Sequence, residues 1–126
     1  MIVISDASPI NYLVQIELTE LLPQLFDRVV VPPAVVAELS HFAAPQVVQA
    51  WILGHPEWLE VIAPTLPETP YPLGLGELAA IRLAKEYGAD KVLLDDLKAM
   101  RLARRMGLET TGTLGVLQLA AAQKTH

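Results

Sequence analysis

The sequence predicts an α/β fold, a three-layer α/β/α sandwich around a mostly parallel central sheet, on three observations. The segments Ile2–Ile4, Arg28–Val31 and Val92–Leu94 carry aliphatic runs without polar alternation, the pattern of strands covered on both faces. Helical stretches separate these strands, and alternating strands and helices imply parallel crossover connections. The chain is also rich in apolar residues, 52% by composition, yet has no uncharged apolar run long enough to span a bilayer. With 126 residues, the length suits a single domain over positions 1–126.

The elements follow in order. After Ile2–Ile4 and Ser5-Asp6, the pair Ser8-Pro9 reads as an N-cap and a first helical proline, opening a helix over Ile10–Ile16. Leu18–Phe26 reads as another helix or a continuation kinked at Pro23. The strand Arg28–Val31 ends at Pro32-Pro33, and Pro33 opens a helix Ala34–Leu39 that carries Glu38. Pro45–Leu53 is expected as a helix with Trp51 and Ile52 facing the core, and Leu59–Ile62 as a short strand. Prolines at positions 64, 67, 70 and 72 predict a surface loop over Ala63–Leu73. A helix from Gly76 to Tyr87 follows, its buried side formed by Leu78, Ile81, Leu83 and Ala84, and Gly88 ends it. The strand Val92–Leu94 leads into a helix Leu97–Met106 stopped by Gly107. Thr110–Thr113 is a short strand or turn, and Leu114–Gln123 a last apolar helix.

Composition sets outer bounds on function. The chain has no cysteine, which excludes disulfides and thiolate metal sites, and no basic segment ahead of an apolar one, so no signal peptide is expected and the cytoplasm is the expected compartment. A formal charge of −5 argues against a nucleic-acid partner if the acids are spread evenly. If four of them share one pocket, the rest of the chain is close to neutral and that objection lapses.

Two strands end alike. Ile2-Val3-Ile4-Ser5-Asp6 and Val92-Leu93-Leu94-Asp95-Asp96 both run from three apolar residues into an acid before a helix. In an open parallel sheet this carboxyl edge is where ligands bind. Asp96 also suits a plain N-cap, Glu77 in its helix's first turn suits the helix dipole, and Glu38 is equally readable as a solvated glutamate. Gly74-Leu75-Gly76 is too short for a nucleotide-binding loop. Carboxylates that converge repel one another unless a cation neutralises them, and an oxygen-only donor set selects hard ions, Mg²⁺ or Mn²⁺. His41, His55 and His126 have no ligand spacing, which speaks against zinc. Lys98, Arg101 and Arg105 recur at helical spacing just after Asp95-Asp96; they read either as a track for a nucleic-acid backbone or as a solvated face with cations complementing the dipole. Thr111 and Thr113 read as pocket hydroxyls or as a helix cap.

The set resembles the PIN-domain family, ribonucleases that include VapC-like toxins. The resemblance rests on Ser5-Asp6-Ala7-Ser8-Pro9, Val36-Ala37-Glu38-Leu39, Gly76-Glu77-Leu78-Ala79-Ala80-Ile81 and Leu94-Asp95-Asp96, in that order along the chain. Leu94–Arg105 and Thr111-Gly112-Thr113-Leu114-Gly115-Val116-Leu117 look like one PIN subgroup. The resemblance implies that Asp6, Glu38, Glu77 and Asp96 are catalytic and bind Mg²⁺ or Mn²⁺, with Asp95 assisting, for hydrolysis of RNA phosphodiesters. Ser8, Lys98, Arg101, Arg105 and Thr113 are the candidates for contact with the RNA backbone. A type II toxin, a homodimer and a small antitoxin partner are implied by the resemblance alone, and no membrane association is expected. The third acid is glutamate where many relatives carry aspartate, and Leu94-Asp95-Asp96-Leu97-Lys98 departs from the family's Thr-x-Asp-x-x-Phe form. A catalytically degenerate binding module and a small-molecule phosphohydrolase therefore stay as rival readings.

Overall fold

The protein is described from a computed structural model that covers residues 1–67 and 71–124; Pro70 of the expected loop and His126 lie outside the described residues. The elements in chain order are β1 (Ile2–Ser5), α1 (Ala7–Gln15), α2 (Leu21–Leu25), β2 (Arg28–Val31), α3 (Pro33–Leu39), α4 (Gln46–Leu53), β3 (Leu59–Val61), α5 (Leu75–Tyr87), β4 (Lys91–Leu93), α6 (Leu97–Arg105), β5 (Thr110–Thr111) and α7 (Thr113–Lys124). The five strands form one sheet in the order β3-β2-β1-β4-β5, every neighbouring pair parallel. The expected fold is the one found, with a sheet that is wholly parallel among the described residues. None of their helices is long and apolar enough to cross a membrane.

The unalternating strand runs are explained by the two cores they feed. Val3, Val29, Val31 and Leu93 point to the face covered by α1, α2, α4 and α7, with Ile10, Leu13, Leu22, Val48 and Val116 opposite them. Ile4, Val30, Val92 and Leu94 point to the other face, against Ala80, Ile81, Leu83, Ala84, Leu102 and Ala103 of α5 and α6. Successive strand side chains alternate between faces, so a strand wetted on neither side must be apolar at every position. Each such fully buried aliphatic side chain contributes roughly 1.5–3 kcal/mol of transfer free energy.

Three element boundaries differ from expectation for local reasons. The first helix starts at Ala7, not after Ser8; Asp6 occupies the N-cap and Pro9 the third helical position. The first four N–H groups of a helix lack intrahelical partners, so a proline in that turn forfeits nothing. Leu18–Phe26 is neither a long helix nor a kinked continuation. α1 closes with Glu17 N–H donating to Val14 O and Leu18 N–H to Leu13 O, Glu17 taking a left-handed φ of 59°. This Schellman motif turns the chain, and α2 is only the five residues Leu21–Leu25. Finally, β4 ends at Leu93, although Leu94 still donates to Thr111 O at 3.0 Å and is fully buried.

Candidate functional site

The chain runs from β1 to β2 on one side and later returns to β4 on the other, so the sheet order reverses direction between β1 and β4. The crevice beyond the carboxyl ends of these two strands is the position where open parallel sheets place ligands. Register pairs Ser5 with Leu93, and Asp6 N–H donates to Leu93 O at 3.0 Å, which sets Asp6 at the lip of that crevice.

Asp6 and Asp96 occupy equivalent helix N-caps but use their carboxylates differently. Asp96 accepts a bond from Ala99 N–H at 3.0 Å and caps α6 in the ordinary way. Asp6 makes no side-chain cap bond; the third residue of α1 is Pro9, which has no N–H to offer. The Asp6 side chain is 3% exposed, and among the described residues its Oδ1 has no hydrogen-bond partner. A buried acceptor without a donor is costly and calls for a ligand or an ion.

Helices α3 and α5 bring two more acids to the same point. A Cβ on Gly76 would lie 3.0 Å from Glu38 Oε1, 3.2 Å from Asp6 Oδ1 and 3.5 Å from the Val35 side chain. Gly76 thus leaves a methyl-sized gap that lets both carboxylates approach α5. Sequence reasoning singled out Gly-Leu-Gly only to reject it as a phosphate loop; the close approach of α3 to α5, which gives Gly76 its role, has no local signal. Glu77 sits one residue on, and its Oε1 accepts from Gly74 N–H at 3.1 Å at the start of the helix.

Asp95 is clamped from the β5–α7 turn. Its Oδ1 accepts from Thr113 N–H at 2.7 Å and its Oδ2 from the Thr113 hydroxyl at 2.7 Å. A Cβ on Gly112 would meet Asp95 Oδ1 at 2.8 Å, so this turn also needs glycine to fit around the carboxylate. Thr113, one of the expected RNA contacts, donates its hydroxyl to Asp95 and so orients that carboxylate.

The electrostatics bind these groups into one site. Burial, followed by the carboxylates of Glu38, Glu77 and Asp95, drives the Asp6 carboxyl up to about 7, partly offset by the Ala7 N–H. Glu77 is also raised, first by burial and then by Asp96 and Glu38, against the Gly74 N–H. Asp6 thus feels Glu38, Glu77 and Asp95, and Glu77 feels Asp96 and Glu38. Among the described residues no three of them are gathered as a ready-made metal-ligand group; Asp96 and Glu77 each accept from an N–H of their own helix start, and Asp95 from Thr113. The donor set still fits a hard divalent cation: it is oxygen-only, and Asp6 Oδ1 is buried and unspent. His41 and His55 are exposed and tied to their own loops, His41 Nδ1 accepting from Ala43 N–H.

Of the remaining candidates, Ser8 shares a cavity with Asn11, Glu38 and His41 beside α1. Lys98, Arg101 and Arg105 are exposed along α6 and line a separate cavity with Tyr71, Pro72 and Leu73.

Fold and site together define an α/β protein of the PIN type, with Asp6 at the switch point of a parallel sheet and Glu38 close to it across Gly76. The profile of the family DUF3368, a PIN domain, matches residues 2–126, and the chain belongs to that family. PIN domains are generally nucleases. The chain is also similar in structure to a PilT N-terminus domain protein from the hyperthermophilic archaeon Sulfolobus solfataricus P2, with a TM-score of 0.72 over 95% of this chain and 93% of that one, at 17% identity. At that identity the likeness speaks for the fold. No curated protein matches the chain.

Proposed function

We propose that this protein is a metal-dependent endoribonuclease acting at the Asp6 crevice, and the toxin of a toxin–antitoxin pair. The observation that carries the nuclease reading is the buried, unpartnered Asp6 Oδ1, facing Glu38 across the gap at Gly76. Asp6, Glu38, Glu77 and Asp96 would hold Mg²⁺ or Mn²⁺, with Asp95 assisting. Such an ion supplies charge stabilisation for in-line attack on a phosphodiester and lowers the pKa of an attacking water. The chain's own residues do the rest. Asp95 is fixed by both of its bonds to Thr113, and the Glu77 carboxyl is raised above the usual glutamate range, first by burial and then by Asp96 and Glu38. Ser8 beside Glu38, and Lys98, Arg101 and Arg105 on α6, are the groups that would meet the RNA backbone. The toxin role, a homodimer and a small antitoxin rest on family resemblance.

The test is cleavage of single-stranded RNA with Mn²⁺ or Mg²⁺ by the parent and by Asp6→Asn. Expected is cleavage by the parent, abolished by chelator, and a loss of at least about 100-fold in the variant. Equal activity in both would end the assignment. Faster turnover of nucleotide monophosphates than of RNA would move the site to a small-molecule phosphohydrolase.

A further inference from the structure

We propose that the cavity between α6 and the Tyr71–Leu73 segment is a nucleotide subsite, in which Tyr71 stacks on an unpaired base while Lys98, Arg101 and Arg105 hold the flanking phosphates. This rests on the nuclease reading and adds to it a base-stacking site apart from the acidic crevice. The cavity is lined by Tyr71, Leu73, Lys98, Arg101, Leu102 and Arg105. Leu102 is buried and Leu73 half-buried against the core of that face, so the walls below are apolar. Tyr71 is 46% exposed, a large ring left on the surface at the rim.

Two of the three cations, Lys98 and Arg101, are not explained by the helix itself. Arg104 and Arg105 complement the dipole at the C-terminal end of α6, and Arg104 is spent on the Thr110 hydroxyl. Lys98 is the second residue of α6, where a positive charge opposes the dipole, and Arg101 lies mid-helix. Residues 98, 101 and 105 follow one another at i+3 and i+4, so like charges are neighbours on one face, at a small cost to the helix. α6 contains no acid, and none of the three cations is ion-paired among the described residues of a chain with 14 acids. Such a stripe beside an apolar floor and an aromatic ring has the two complements of a nucleotide, a phosphate and a base face. It spans about 10 Å of helix, and its near end lies within one turn of the Asp96 cap. A strand seated there would reach Asp96 at the Lys98 end of the stripe. A paired base has no free face for Tyr71, which gives the preference for single strands.

The test is fluorescence anisotropy of a labelled oligoribonucleotide on the Asp6→Asn protein, bearing Tyr71→Ala, Tyr71→Phe or Arg101→Ala with Arg105→Ala, alongside cleavage by the corresponding single-site parents. Expected is a 5- to 100-fold loss of single-strand affinity for Tyr71→Ala, in the range of one stacked base. Tyr71→Phe should bind like the reference, and duplex binding should not respond to either change. Removing both arginines should lower the slope of log affinity against log salt by about 1.4. All of these residues are at the surface, so circular dichroism should show unaltered folds. Reference-level affinity and salt slope in the variants would overturn the subsite while leaving cleavage by the parent, and thus the nuclease reading, intact. RNA binding absent throughout, with a labelled oligoglutamate peptide bound instead, would overturn it in favour of an acidic protein partner.

Discussion

Replacing Asp6 by asparagine should alter the pH dependence of stability before it alters anything else. In the folded protein the Asp6 carboxyl is raised from 3.8 to about 7, chiefly by burial. The folded state therefore keeps a proton that the unfolded chain releases, and stability falls as pH rises through that window. Below 3.8 the group is neutral in both states and costs nothing; above 7 the whole penalty applies. The displacement corresponds to about 4 kcal/mol above neutrality, of which about 2–3 kcal/mol accumulates between pH 5 and pH 8. For a domain of this length ~1 kcal/mol moves Tm by about 4 °C. Thermal unfolding followed by circular dichroism, in chelator at pH 5 and pH 8, should thus show the parent losing on the order of 10 °C more than Asp6→Asn. The comparison isolates Asp6, because Glu77, raised in the same direction, is present in both proteins. Asparagine keeps an unpartnered acceptor in the same place, so the absolute offset between the two proteins is less telling than its change with pH. At pH 8, Mn²⁺ should raise the parent's Tm and leave the variant's nearly unchanged. Parallel Tm values at both pH values, within about 2 °C, would refute the claim that Asp6 is a buried charge awaiting a partner.

Two further outcomes follow from the neighbouring geometry. Gly76→Ala introduces a methyl 3.0 Å from Glu38 Oε1 and 3.2 Å from Asp6 Oδ1; the Mn²⁺-dependent rise in Tm should shrink and RNA cleavage should fall about tenfold or more. A variant that keeps full activity would show that the gap between the two carboxylates is incidental. Thr113→Val removes the hydroxyl bond to Asp95 Oδ2 but keeps the backbone bond; kinetics should show a 10- to 100-fold loss of cleavage with a stability change of only about 1 kcal/mol, and Thr113→Ser should restore activity.

Much of the frame was legible locally. Val29–Val31 and Val92–Leu94 are apolar at every position because both sheet faces are covered, and that requirement is written into each residue separately. Gly88 and Gly107 stop α5 and α6 through left-handed backbone, at φ 58° and 83°, as their residue type suggests. Glu17 does the same at the end of α1 without glycine, which is why the run from Leu18 looked like helix. At the first helix Ser8-Pro9 made a good capping signal two residues too late, because the strand-to-helix turn is tighter than the signal assumes.

Sequence alone determined the residue types at the crevice, the parallel sheet and the ends of two of its strands. It set Asp95 and Asp96 side by side at one strand end, and the tertiary structure gave them different partners: Thr113 takes Asp95, whereas Asp96 caps its own helix. It also offered Asp6 as one more acid in a favourable place. Only the register of β1 on β4 and the close packing of α3 on α5 made that acid buried, with its Oδ1 unpartnered and opposed to Glu38. Propensity and capping act over a few neighbouring residues, whereas the field at a carboxylate depends on groups brought close from distant parts of the chain, which are fixed only when the layers pack.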